Sequence, residues 1–270
     1  YYTATTNETG VSFWGNTARD TFSISNISVK EMLVTRESTT TNTGIVERAI
    51  TGLNESVAFR QDTRTNLVAY SEGFSNAYWT KDGFSTSNLV TSPDGTENAI
   101  EILETATSGS HGGYSTVSSA LGSTDYSVSM FVKKNNRRYF GLQSWYSSVV
   151  GAISFFDLDT GTLIYEFAEG TGYTVNNSKI EDYGNGWYRI SAVWQGQPSN
   201  NTLYAGFVLA DTEWSTGTSY DNPYTGDITK GAYIYGVQLE EASQATSYIP
   251  TNGAAVTVDS NSTSVVNNTG

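Results

Sequence analysis

The chain has 270 residues, room for one large all-β domain or a medium domain with attachments. Its 14 basic and 27 acidic side chains leave a formal charge of −13, and 15 % of residues are charged against 13 % aromatic. So many aromatics and so little charge exclude a disordered chain, the acid excess repels phosphate backbones and argues against nucleic acid as a partner, and the absence of cysteine excludes disulfides, thiolate nucleophiles and cysteine metal sites.

No apolar run approaches the roughly 18 residues of a membrane helix, and no basic-then-apolar leader opens the chain, so no membrane contact is expected. The start at Tyr1-Tyr2-Thr3 suggests a piece of something longer. Residues 1–34 hold two strand-like stretches, 11–14 and 22–30. They read as the closing strands of a preceding sandwich or as strands exchanged with a neighbouring chain. Residues 24–31 resemble 234–241, which supports that reading. Residues 35–65 are Thr-rich and polar with little period, and we expect an extended linker.

The body runs from 66 to 250. A short helical turn is expected at 72–78. Apolar residues then alternate along 125–133 (Tyr126, Val128, Met130, Val132), 186–194 (Tyr188, Ile190, Ala192, Trp194), 203–209 and 232–240, the period of half-buried strands. Further strands are expected at 98–104, 139–144, 151–157 and 179–183. Turn chemistry separates them, as in Ser92-Pro93-Asp94-Gly95, Asp159-Thr160-Gly161 and Gly184-Asn185-Gly186. Antiparallel strands with one apolar face each close most economically as two packed sheets, so the fold class expected is an all-β antiparallel sandwich of jelly-roll type. Residues 251–270 read as a C-terminal linker.

Several stretches follow a known order. Thr65-Asn66-Leu67 leads through Tyr70, Phe74 and Tyr78-Trp79 to Lys81, then comes Pro93-Asp94-Gly95 with Ala99, then Phe156-Asp157-Leu158 with Thr160-Gly161-Thr162. An acidic strand at Ile180-Glu181-Asp182 precedes Gly184-Asn185-Gly186-Trp187-Tyr188-Arg189, and the body closes on Tyr233 to Glu240 and Thr246-Ser247-Tyr248-Ile249-Pro250. This order resembles the concanavalin-like, carbohydrate-binding-module-like jelly roll of phage tail fibres, spikes and head fibres. The resemblance implies a virion-surface appendage protein, a homo-oligomer with a trimer favoured, contacts with other virion proteins and adhesion to a bacterial surface glycan. A purely structural virion protein is the alternative, and a polysaccharide-degrading domain a weaker one.

The motif residues Trp79 and Trp187 read as scaffold. Glycan contacts are sought among the aromatics outside the motifs, Trp145, Tyr146, Trp194, Trp214, Tyr220 and Tyr224, with Gln195 to meet hydroxyls. Trp194 also continues the face of Tyr188, Ile190 and Ala192, which favours core over ligand contact for it. A structural calcium ion is a candidate through Asp94, Glu97, Asp157 and Asp159 in turns, although no twelve-residue calcium-loop spacing is present. No other cofactor is expected. The single histidine, His111, sits in Ser-Gly-Ser-His-Gly-Gly and reads as an exposed loop residue. Glu97 and Glu101 share a strand face but stand roughly 13 Å apart, too far for a glycosidase pair. No catalytic residues are expected, and we expect no enzyme.

Overall fold

Period-two alternation of apolar side chains builds nearly every element of the computed structural model, which describes residues 48–49, 55–118, 125–147, 150–170, 172–195, 202–212 and 223–267. The described residues contain strands and turns and no helix. The stretches at 11–14 and 22–30, and the repeat that includes 24–31, lie outside them.

In chain order the strands are β1 (Arg48–Ala49), β2 (Glu55–Asn66), β3 (Thr80–Asp82), β4 (Phe84–Thr91), β5 (Glu97–Glu104), β6 (Ser108–Gly109), β7 (Gly112–Ser118), β8 (Asp125–Asn135) and β9 (Tyr139–Ser147). They continue as β10 (Val150–Asp157), β11 (Thr162–Glu169), β12 (Thr174–Gly184), β13 (Trp187–Gln195), β14 (Thr202–Ala210), β15 (Tyr224–Thr225), β16 (Gly231–Glu241) and β17 (Val256–Asn267). Two six-stranded antiparallel sheets face each other: a front sheet, β11-β10-β9-β14-β7-β3, and a back sheet, β12-β13-β8-β16-β5-β4. The chain passes repeatedly between them, from β5 to β7, β8 to β9, β11 to β12 and β13 to β14, which is the jelly-roll path expected from the sequence.

The core fills the space between the sheets. Tyr126, Val128, Met130 and Val132 of β8, Ile190, Ala192 and Trp194 of β13, and Ile234 and Leu239 of β16 face Phe140 and Leu142 of β9 and Leu203, Ala205, Phe207 and Leu209 of β14. The Phe207 ring stacks on Phe140 at 5.6 Å and meets Phe84 at 5.7 Å. Burial of each such side chain contributes about 1.5–3 kcal/mol relative to exposure.

The lead-in motif acts as a clamp between the two ends of the body. Asn66 is fully buried; its amide donates to the carbonyls of Val237 (3.1 Å) and Ile249 (2.8 Å), and its oxygen accepts from the Val68 and Leu239 amides. Trp79 is buried and donates from Nε1 to the Tyr70 carbonyl. The helical turn expected at 72–78 is a run of turns instead, closed by the Phe74, Asn76 and Trp79 amides. The stretches expected as separate linkers at 35–65 and 251–270 contain β2 and β17, which pair with each other in antiparallel register from Asn66↔Val256 to Glu55↔Asn267. The pairing joins β2 and β17 into one ribbon.

Candidate functional site

The outer face of the front sheet carries an aromatic cluster over small residues. Strand register sets three rows across the strands. Glu169, Gly151, Trp145, Tyr204 and Thr116 form the first, Phe167, Ile153, Gln143, Gly206, Tyr114 and Thr80 the second, and Tyr165, Phe155, Gly141, Val208, Gly112 and Asp82 the third. Trp145 and Tyr204 lie near-parallel at 5.5 Å, and Tyr114 meets them edge-on at 4.9 and 5.7 Å. All three are part-exposed.

Glycines hold the neighbouring floor down. A Cβ on Gly141 would come within 2.8 Å of the Ile153 side chain and 2.9 Å of Val208, and one on Gly206 within 2.5 Å of the Gly113 carbonyl. In the middle row, between Ile153 and Gly206, Gln143 is 8 % exposed and its amide has no hydrogen-bond partner among the described residues. The three rows contain no Lys or Arg, and the first and third end on the carboxylates Glu169 and Asp82. Ile153, Phe155 and Val208 are themselves buried in a small apolar cluster with Ala210, against which Tyr139, Tyr165 and Phe167 pack. What the face leaves part-exposed is the ring cluster of Trp145, Tyr204 and Tyr114, with the Gln143 amide beside it.

The other sequence candidates fall elsewhere. Trp194 is fully buried in the core, so the ligand-contact reading is corrected: its side chain continues the inward face of β13. Gln195, one residue on, donates to Asp125 at 3.3 Å. Tyr224 does not join the aromatic cluster either. Its hydroxyl donates to Glu104, its ring lies 4.4 Å from His111 and under the Arg137 guanidinium at 5.2 Å, and it closes a buried network. Trp214 and Tyr220 lie outside the described residues, and of Tyr146 only the backbone in β9 is described. Tyr114 and Tyr204 escaped notice in the sequence, because only the order β9-β14-β7 brings them beside Trp145.

His111 also needs correcting, because it is fully buried. Its Nδ1 lies 2.7 Å from the Gly83 carbonyl and its Nε2 3.2 Å from that of Tyr224. The ring thereby bridges the start of β4 to β15, a structural post instead of a loop side chain.

The four calcium candidates divide between two sheets. Asp94, in the β4–β5 turn, accepts from Ser92, from both the amide and hydroxyl of Thr96, from Asn98 and from Tyr235, and these bonds hold its carboxyl well below the usual range against the opposing effect of burial. Asp157, in the β10–β11 turn, is bound by both Nε and Nη2 of Arg138, which likewise keeps it ionised far below its ordinary value. Asp159 pairs with Lys134. Glu97 opens β5 on the exposed side. Among the described residues no three histidine or carboxylate groups converge on one point. Hydrogen-bonded turn carboxylates replace the expected metal ligands, and we expect an excess of chelator to leave the melting temperature unchanged in a thermal scan.

Fold and face together define an antiparallel jelly-roll sandwich with a part-exposed aromatic cluster on the outer face of one sheet. No protein-family model matches the chain, and comparison with curated proteins gives no match. Among solved structures, the chain is similar to the enzymatically active domain of tailspike protein 4 from bacteriophage CBA120, with 13 % identity over 64 % of this chain and 21 % of that one, TM-score 0.36. It is similar to the CBM22-1–GH10 modules of endo-1,4-β-D-xylanase 10B from Clostridium thermocellum, with 15 % identity over 71 % of this chain and 30 % of that one, TM-score 0.32. It is also similar to the mannan-recognising carbohydrate-binding module TmCBM27, with 11 % identity over 68 % of this chain and 99 % of that one, TM-score 0.33. The chain thus spans less than a third of the length of the first two.

Proposed function

We propose that this chain is a non-catalytic glycan-binding sandwich whose contact face is the aromatic cluster on the outside of the front sheet. The observation that carries this reading is the conjunction of Trp145, Tyr204 and Tyr114 with the unpartnered amide of Gln143 on a floor cleared by glycine. Sugars present flat C–H faces rimmed by hydroxyls. Aromatic rings take the faces, and a primary amide both donates to and accepts from the rim. Half-exposed rings whose burial is completed only by a ligand are also where binding energy concentrates.

The setting of this activity rests on the motif order from Thr65 to Pro250, whose resemblance to phage fibre and spike domains supports an appendage on the virion surface, assembled as a homo-oligomer. In that setting the chain anchors the particle to host-surface glycan and leaves the glycan intact.

The test is saturable binding of the labelled full chain to a panel of bacterial surface polysaccharides, repeated with Trp145→Ala and Tyr204→Ala. Each substitution removes one ring from a solvent-facing cluster and is expected to weaken binding about tenfold or more with the fold intact by circular dichroism. A well-folded protein that binds nothing on the panel, or one whose binding ignores both substitutions, overturns the reading and leaves a purely structural virion protein.

A further inference from the structure

The back sheet carries a depression on the side of the sandwich opposite the aromatic cluster. Strand β12 bulges between Asn176 and Lys179, where the register to β13 shifts and Asn177 adopts a left-handed backbone at φ 51°. Bulges re-aim side chains, and this one is pinned from behind, since Ser178 bonds to Ser154 and Glu166 of the front sheet. Asn177, Lys179 and Glu181 thereby form one wall of a cavity of about 180 Å³ whose floor is Ser191 and Val193 and whose far wall is Ser243–Ala245.

The far wall is held firmly. Glu240 is buried and accepts from the amide of Thr246 at 3.0 Å and from its hydroxyl. The guanidinium of Arg189 donates to the Thr246 carbonyl, and Gln238 donates to Glu240 at 2.7 Å. Next to the cavity, without lining it, Ser127 Oγ, beside Val193 in the register, and Arg189 Nε, opposite Glu181, are buried without a hydrogen-bond partner. Lys179 and Glu181 stand two residues apart on the same strand face, and neither has an ion-pair or hydrogen-bond partner among the described residues.

We propose that this cavity binds a single acidic sugar unit, a polyhydroxylated ring bearing one carboxylate. The complement is chemical. The Lys179 ammonium takes the carboxylate, the Glu181 carboxylate accepts hydroxyl hydrogens, and Asn177, Gln244, Ser191 and Ser243 satisfy the rest of the rim. No aromatic ring lines the cavity, so recognition here is by hydrogen bonds and charge, in contrast to the aromatic cluster on the other sheet. The site is independent of that cluster and of its proposed ligand.

Sodium D-galacturonate titrated into the isotope-labelled full chain tests it by nuclear magnetic resonance. Expected are saturable shifts at Asn177–Glu181 and residues 243–245, absent with D-galactose, which lacks the carboxylate, and with acetate, which lacks the ring hydroxyls. Lys179→Met is expected to lower the affinity at least about tenfold and Glu181→Gln to lower it measurably; both positions are exposed, so both variants fold. Trp145→Ala is expected to leave the titration unchanged. Trigalacturonate binding as well as the monosaccharide identifies a polymer end as the source, and its failure to bind identifies the free sugar acid. Either outcome sustains the site. Absence of saturable shifts in the folded wild type, equal binding of acetate, or indifference to Lys179→Met overturns it.

Discussion

Replacing Glu104 by Gln is expected to lower the unfolding free energy by about 3–5 kcal/mol, the usual cost of breaking a buried ion pair from one side. Glu104 ends β5 with its side chain wholly shielded from water. Its two oxygens accept from Nε and Nη2 of Arg137, from the Tyr224 hydroxyl and from the Asp227 amide at 2.9 Å. Through these bonds one carboxylate ties β5 to the chain joining β8 to β9 and to the segment that leads into β16. A neutral amide keeps the shape but leaves the Arg137 guanidinium, 12 % exposed, without its counter-charge and turns one acceptor into a donor facing other donors. Urea unfolding with an unchanged slope checks the number. A loss under about 1 kcal/mol would place this pair with ordinary surface ion pairs and refute the assignment. A double variant with leucine at 104 and methionine at 137 should recover much of the loss, because removing both charges removes the desolvation penalty with them.

The same carboxyl fixes a pH limb. Burial pushes it up, but the bonds from Arg137, from the Asp227 amide and from Tyr224 outweigh burial, so its folded value lies below the ordinary one. Its stabilisation is therefore complete above about pH 4, where the unfolded carboxyl titrates, and is lost as pH falls through the lower folded value. The acid limb of the wild type should be shallower in Glu104→Gln. At the other extreme burial pushes Tyr165 up to about 12 and raises Tyr224, Tyr235 and Tyr248 as well. Their contribution is complete below about pH 10 and declines above it.

What the sequence disclosed follows from the range of the interactions concerned. Strands such as β8 and β13 were legible because an apolar side chain recurs at every second position, Tyr126 to Val132 and Tyr188 to Trp194, with Phe131 and Val193 the extra apolar residues on the other face. Strand β7 was not, because Gly112 and Gly113 thin out its apolar signal; both are required by close approach, the Cβ of a residue at 113 meeting the Phe207 and Phe84 rings at 3.0 Å. His111 misled for the same reason. Its Ser/Gly neighbours look like a loop, while the two carbonyls that receive its ring come from Gly83 and Tyr224, 28 and 113 positions away. The carboxylates of Asp94 and Asp157 read as metal ligands because turn caps and metal ligands draw on the same residues. Only the placement of Arg138, Thr96 and Tyr235 separates the two uses. The aromatic cluster depends on pairing between β9, β14 and β7, so Trp145 was visible as a candidate and its partners were not.

Trp194 provides the second large effect and separates scaffold from ligand face. The side chain is fully buried and packs with the inward residues of β13 and β8, opposite Tyr126 in the register. Trp194→Ala leaves a large hole that rigid flanking strands close only in part, and is expected to cost about 3–5 kcal/mol. Its indole Nε1 has no hydrogen-bond partner, so Trp194→Phe gives up packing volume but abolishes a buried unsatisfied donor, and is expected to cost less than about 1.5 kcal/mol. Chemical denaturation of both variants orders them. Glycan binding then discriminates the roles: a stably folded Trp194→Phe should bind as the wild type does, while Trp145→Ala, on the outer face of the other sheet, should keep its stability and lose binding. If Trp194→Phe folds fully and yet binds tenfold more weakly, the contact face has been assigned to the wrong side of the sandwich.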